Sequence, residues 1–309
     1  MRILFVGMGS IGQRHLENLC TILDERNMEY EIHLLRATDR VLSDSILKHI
    51  SKSIYEQEQL EEQYDIIFIT NPTYLHYETL LEMNHRSNVF FIEKPIFDKF
   101  DIDVSVFDSE MKKIYYVACP LRYSRVLQRG KELLADEKVC SVRAISSSYL
   151  PQWRKNCDYR NTYSAHKEQG GGVQIDLIHE WDYLVDLFGF PLKTRQLAGK
   201  YSNLEINSDD LAVYVGEYSD KLVELHLDYF GRYTRRSCEV ITEKAVYILD
   251  IANSCIYKDN QIMERFNETA NEKYVEELKY FLKLIAGECS NTNNMEHALH
   301  VLKLAMGEI

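Results

Sequence analysis

The chain is poor in structure-breaking residues and in the patterns that staple or anchor a protein. Its 309 residues include five prolines and 13 glycines. With no low-complexity tract and no solenoid-length repeat, extended disorder and repeat architectures are excluded. The seven cysteines (Cys20, Cys119, Cys140, Cys157, Cys238, Cys255 and Cys289) are odd in number, widely spaced and free of any Cys-x-x-Cys pair. That excludes a zinc ribbon and argues against a disulfide framework, so reduced, mostly buried thiols are expected. No apolar run approaches the roughly 18 residues of a membrane span. Positive charge is short as well: 36 basic against 48 acidic residues give a net charge of −12. A nucleic-acid binder needs a basic face, so that class of partner is excluded. A strand expected from Arg2 onward leaves no room for a signal peptide, and the cytoplasm is the expected location.

What is present is an alternation. Short apolar runs at Arg2–Val6, Glu31–Leu35, Asp65–Thr70, Asn88–Ile92 and Ile114–Ala118 read as buried parallel strands. Helical spacing lies between them, at Leu16, Leu19, Cys20 and Leu23 and again at Leu42, Ile46, His49 and Ile50. Strands alternating with helices imply an α/β fold with a doubly wound parallel sheet, and ligands bind such sheets beyond the carboxyl ends of the strands. Gly7-Met8-Gly9-Ser10-Ile11-Gly12 stands there, between the first strand and an amphipathic helix. In that context the pattern reads as a dinucleotide cradle: Gly7 for the turn, Gly9 for approach of a pyrophosphate and Gly12 for close packing. Ser10 and Ile11 open the helix whose free N–H groups would face the phosphates.

The end of the second strand bears on the choice of cofactor. An acid about 20 residues after the glycines would select NAD, but Arg36 takes that place. A guanidinium suits a 2′-phosphate, so NADP is favoured. Asp39 keeps NAD open, and a solvated surface arginine is the bland alternative.

Several segments, in order, resemble one family. They are Gly7 to His15, Thr70-Asn71-Pro72-Thr73-Tyr74-Leu75-His76, Glu93-Lys94-Pro95, Arg122-Tyr123, and Gly170-Gly171-Gly172 running to His179. The chain resembles the glucose-fructose oxidoreductase / inositol dehydrogenase / rhizopine-catabolism (Gfo/Idh/MocA) family. The resemblance implies an N-terminal Rossmann domain over residues 1–120. Behind it, residues 121–309 would form an α+β domain with a large, mostly antiparallel open sheet that binds substrate and joins subunits into a homodimer or homotetramer. It implies that Lys94 reaches nicotinamide ribose and substrate, and that His179 and Asp176 complete the catalytic site. Thr70, Asn71, Pro72 and His76 would lie along the cofactor, Glu93 would contact its ribose, and Arg122 would lie near the nicotinamide pocket. The substrate would be a sugar, sugar acid, cyclitol or nucleotide-sugar. Tyr159-Arg160-x-x-Tyr163 is similar to a branch that accompanies bacterial surface-sugar pathways.

The residues suit that chemistry. Lys94 follows a buried strand and precedes Pro95; a lysine partly desolvated in a cleft can exchange protons near neutral pH. A helix is expected from the triple glycine to Phe188, with Asp176, His179 and Asp182 on one face. A histidine flanked by carboxylates is held in one tautomer for acid/base work. The spacing also matches metal ligands, although no cysteine or second histidine lies close, and no metal is expected. The stretch from Leu150 to Gln169 is long, polar and aromatic. Trp153, Arg154, Tyr159, Arg160, Tyr163 and His166 there can form a substrate lid, with arginines suited to a carboxylate or phosphate, or simply a solvated loop.

Strands are expected at 139–149, 192–201, 211–218, 222–229, 236–242, 245–249 and 255–258, and helices at 123–135, 271–286 and 295–305. Two rival readings remain: a redox-neutral enzyme that retains its cofactor, and a dinucleotide-binding regulator without catalysis. A regulator need keep neither Lys94 nor His179.

Overall fold

Apolar runs bounded by turn residues become strands buried on both faces. In the computed structural model, which describes residues 1–38, 41–107, 113–155 and 157–309, β1 (Arg2–Val6) leads into α1 (Ser10–Glu25). There follow β2 (Glu31–Leu35), a single turn α2 (Asp44–Leu47), β3 (Lys52–Ile54), β4 (Ile66–Ile69), α3 (His76–Met83), β5 (Val89–Ile92) and β6 (Ile114–Val117). All six strands are parallel, in the order β3-β2-β1-β4-β5-β6. Strand order reverses beside β1, which puts the ligand crevice of such a sheet at the carboxyl ends of β1 and β4. Phe5 of β1 stacks on Phe68 of β4 at 4.5 Å, and Phe68 on Phe91 of β5 at 4.9 Å.

The rest of the chain runs through α4 (Arg125–Leu134), β7 (Val139–Tyr149), α5 (Val173–Asp176), α6 (His179–Phe188), β8 (Lys193–Gly199), β9 (Leu211–Glu217), β10 (Leu222–Asp228), β11 (Phe230–Thr242), β12 (Val246–Asp250), β13 (Cys255–Lys258) and β14 (Gln261–Arg265). It ends with α7 (Glu272–Ile285) and α8 (Met295–Ala305). The eight strands form a second sheet, β14-β13-β12-β11-β7-β10-β9-β8. It is antiparallel except where β10 runs parallel to β7. Val223, Leu225 and Leu227 of β10 are buried on one face, as period-2 alternation requires.

The chain divides into two compact units, residues 1–120 with 274–299 and residues 121–273 with 300–309. The stretch 274–299, expected with the second domain, thus counts with the first sheet. Phe281 of α7 explains why: its ring lies 5.1 Å from Phe91 and 5.9 Å from Phe68, edge to face. Glu277, fully buried, accepts from the Tyr116 hydroxyl at 3.2 Å and from the Cys119 N–H. Asn293 exchanges backbone and side-chain bonds with Val117 at 2.9 and 2.8 Å. Helical spacing identified this helix but carried no information about which sheet receives its apolar stripe.

Other boundaries moved too. β3 and β14, both at sheet edges, were not expected: β3 has three residues, and the apolar residues of β14, Ile262 and Met263, are adjacent and do not alternate. The helix expected over 42–50 is reduced to α2. The helix expected from 170 to 188 breaks at Leu177 and Ile178, and Leu177 has φ −99° and ψ +24°. Among the described residues no helix is long and apolar enough to cross a membrane.

Phe281→Ala is expected to cost about 3–5 kcal/mol, the usual range for emptying a buried phenylalanine site. Hydrogen exchange should then rise first in β4 and β5. Loosening confined to β7 and β11 would contradict the assignment of α7 to the first unit.

Candidate active site

In the first unit, the turn after β1 is built by what glycine lacks. Gly7 has φ +86°, and a Cβ on it would lie 2.7 Å from Asn71 Cα. The turn after β4 therefore packs directly onto the glycine loop. Thr70 seals the contact by donating to the Gly7 carbonyl at 2.9 Å, and its hydroxyl would lie 2.8 Å from a Cβ on Gly12. At Gly9, by contrast, a Cβ would meet nothing within 4 Å, so the loop is open on that side. Gly9 caps α1, whose first turn, including Ser10 and Ile11, carries no acidic residue. Free N–H groups and a partial positive charge face that opening. Asn71 donates to Thr79 Oγ1 at 2.8 Å, while its buried Oδ1 accepts no hydrogen bond among the described residues. An orphaned acceptor beside an open N–H cradle fits a bound dinucleotide.

Glu93, at the end of β5, is turned inward. Its Oε1 lies 2.5 Å from Nε2 of His15, a fully buried residue of α1, and its Oε2 accepts the Lys94 N–H at 3.1 Å. Burial pushes this carboxyl up, but the hydrogen bond and charge of His15, aided by Lys94, hold it below the usual carboxylate range. Lys94 is half-buried on the following turn.

In the second unit, a cavity of about 770 Å³ is lined by residues of β7, β11, the α5–α6 break and neighbouring loops. Asp176 and His179 both line it. Asp176 is buried at the end of α5 and accepts the Tyr229 hydroxyl at 2.6 Å. Burial and the Asp176 charge hold the Tyr229 hydroxyl well above its ordinary range, so it is a donor. His179 begins α6, where the break turns the helix between the two residues. Glu180 beside it is fully buried and lies 2.9 Å from Arg236 Nε, an ion-pair contact without hydrogen-bond alignment. Burial pushes the Glu180 carboxyl up against the opposing pull of Arg236.

Residues 131–307, more than half of the chain, match the family model described as oxidoreductase family, C-terminal alpha/beta domain. The chain belongs to the Gfo/Idh/MocA oxidoreductase family. No curated protein matches it in sequence. Solved structures do match in fold. An oxidoreductase from Thermotoga maritima is 18% identical with a TM-score of 0.83, covering 100% of this chain and 95% of its own. The myo-inositol 2-dehydrogenase of Lactobacillus plantarum is 17% identical, TM-score 0.78, covering 99% and 95%. The WlbA dehydrogenase of Bordetella pertussis, solved with NADH and UDP-GlcNAcA, is 16% identical, TM-score 0.78, covering 99% and 94%.

Within this family member, several expected site residues have other surroundings. Glu93, expected at a ribose, is committed to His15. His76 is fully buried, with Nδ1 3.0 Å from the Ile96 carbonyl and Nε2 3.0 Å from that of Asn71. It fastens the Asn71 turn, and burial lowers its pKa. Arg122 is buried and gives two hydrogen bonds to Asp182, at 2.8 and 2.7 Å. Asp182, expected beside His179, is thereby engaged elsewhere. Arg160 is tied to Asp158 at 2.7 Å and Glu205 at 3.0 Å, and the Tyr159 hydroxyl accepts the Glu205 N–H. Neither lines the cavity, whereas Trp153 and Arg154 do. Arg36 donates to the Thr38 carbonyl at 2.5 Å and lies 5.8 Å from the Tyr55 ring centroid. Pro72 is exposed, and Asp39 lies outside the described residues. Sequence reasoning assigned no role to His15, Tyr229 or the Arg232-to-Arg236 run. The three arginines in five positions of an acidic chain were the available signal.

Glu93→Ala should cost about 3–5 kcal/mol, since it leaves His15 buried without its partner. A depressed carboxyl contributes stability that is full above the unfolded value of about 4.3 and lost as pH falls through the folded one. Urea midpoints from pH 3 to 7 should therefore fall more steeply in acid for the wild type than for the variant. Equal midpoints at pH 7 would contradict the role of the pair.

Proposed function

We propose that the chain is an NAD(P)-dependent oxidoreductase acting on a secondary alcohol or ketone of a sugar-type substrate. The observation that carries this reading is the glycine loop, open at Gly9 and free of acids over the first turn of α1. Family membership supports it, as do the NADH and UDP-GlcNAcA held by the Bordetella pertussis neighbour.

A bound nicotinamide supplies a hydride acceptor or donor; the chain's own groups manage binding and the proton. The N–H groups of Ser10, Ile11 and Gly12 would hold the diphosphate, with Thr70, Asn71 and Pro72 beside it. Lys94 exchanges the alcohol proton, its backbone N–H fixed by Glu93. In the second unit His179 serves acid/base chemistry, and Asp176, oriented by Tyr229, binds a substrate hydroxyl. Trp153 and Arg154 contribute to substrate binding, and Tyr163 reaches the site through Asp176.

The finer proposal for the cofactor is NADP, supported by Arg36 after β2. A homodimer or homotetramer through the second sheet is supported by the exposed Leu197, Val215 and Leu222 on one face of β8–β10. A cytoplasmic site of action fits seven free thiols, and surface-sugar synthesis is the proposed context.

Lys94→Ala and His179→Ala should each lower turnover by at least about 10²-fold, the scale of an acid/base group, with dinucleotide affinity retained. Turnover read by NAD(P)H absorbance over a panel of sugars, sugar acids and nucleotide-sugars checks this; unchanged turnover removes the residue from the mechanism. Arg36→Ala should weaken NADPH about tenfold and NADH little. A wild-type preference for NADH would refute the NADP proposal.

A further inference from the structure

The cavity of the second unit is cationic in an acidic protein. With 36 basic residues against 48 acidic ones, an arginine readily finds a carboxylate. Arg2, Arg122, Arg125, Arg129, Arg143 and Arg160 sit in ion pairs away from the cavity, and Arg236, which lines it, is paired with the buried Glu180. Arg154, Arg232 and Arg235 line the cavity and, among the described residues, make no ion pair. Two of them are held by aromatic faces. Arg232 Cζ lies 4.4 Å from the Tyr149 ring centroid, and Arg154 Cζ lies 5.4 Å from that of Tyr163. A ring face orients a guanidinium without neutralising it or occupying its N–H donors.

The backbone that carries Arg232 is built for the purpose. β11 pairs regularly with β7 from Arg235 to Ile241, but the register slips between Phe230 and Arg235. Asp228 fastens the slipped segment by accepting the N–H groups of Phe230 and Gly231 at 3.0 and 2.7 Å. A Cβ at position 231 would lie 1.9 Å from Ser147 Oγ, so a larger residue there would have to displace that hydroxyl. Bulges of this kind re-aim side chains beside binding sites. The carboxylates in the lining are Asp176 and Glu268, and both have donors: the Tyr229 hydroxyl and the Arg125 N–H.

We propose that this cavity binds a substrate bearing an anionic group, a carboxylate or a phosphate, and that Arg154, Arg232 and Arg235 are the residues that take it. The inference rests on the oxidoreductase reading in that Asp176 and His179 line the same cavity, but anion binding is measurable without turnover. Both anions accept paired N–H bonds from a guanidinium fork. A neutral sugar leaves these cations without counter-charge.

Trp153 lines the cavity and the other tryptophan, Trp181, is fully buried, so fluorescence reports occupancy. The intact chain is titrated with glucose, glucuronate, UDP-glucose and UDP-glucuronate. At least one anionic probe should bind about tenfold or more tighter than glucose. Arg232→Gln and Arg235→Gln should each weaken that probe about tenfold, leave glucose unchanged and reduce the salt dependence of binding. The exposed Arg125→Gln is the control, and circular dichroism checks the fold. Glucuronate against UDP-glucose tells carboxylate from phosphate. The inference is overturned if no anionic probe exceeds glucose, or if the Arg232→Gln/Arg235→Gln double variant binds anions as the wild type does. A chain that selects anions but oxidises no sugar keeps this inference and refutes the oxidoreductase reading.

Discussion

Where β1 ends, the missing side chain of Gly7 lets the backbone of Asn71 settle against it, and the consequences run through the first unit. The contact joins the turn after β1 to the turn after β4, the two strands beside which the sheet order reverses. It sends α1 off with an uncovered N-terminus. One turn along that helix, His15 reaches inward to Glu93, and Glu93 in turn holds the N–H of Lys94. The backbone of the proposed proton-exchanging lysine is thus tied to the helix proposed to hold the diphosphate by one buried imidazole–carboxylate pair.

The second unit solves a different problem. Its sheet must present chemistry from a half-buried surface, and it does so at irregularities. The break between α5 and α6 exposes Asp176 and His179 to one cavity, where Tyr229 at the end of β10 fixes the carboxylate. The slipped register at the start of β11 carries Arg232, which lines the same cavity. Regular helix and strand would carry these residues past the site; the departures from regularity aim them into it.

The parallel sheet and the glycine loop were legible because each is written in local periodicity and turn chemistry; the strands of the second sheet were read the same way, but its mostly antiparallel order was implied by the family resemblance. Glu93 and His76 have partners inside the fold that spacing does not announce, because those partners are not local. The partner of Glu93 lies 78 residues away, and the two carbonyls beside the His76 ring belong to different turns. The motif located these residues beside the crevice, but only packing decides whether a polar side chain faces ligand or core. The partner of Arg160 and Tyr159 was equally hidden, since Glu205 lies far along the chain. The helix break at Leu177 and the bulge before Arg235 leave the hydrophobic pattern nearly intact, so nothing in spacing announces them.

If a dinucleotide rests on the start of α1, its arrival must quiet the amides there. Hydrogen–deuterium exchange of the peptide spanning Gly7 to His15, with and without saturating NADPH or NADH, measures this. Strong protection of that peptide is the predicted result. Saturable binding of either cofactor that leaves its exchange unchanged, or no binding at all, would contradict the proposed cradle and the chemistry built upon it.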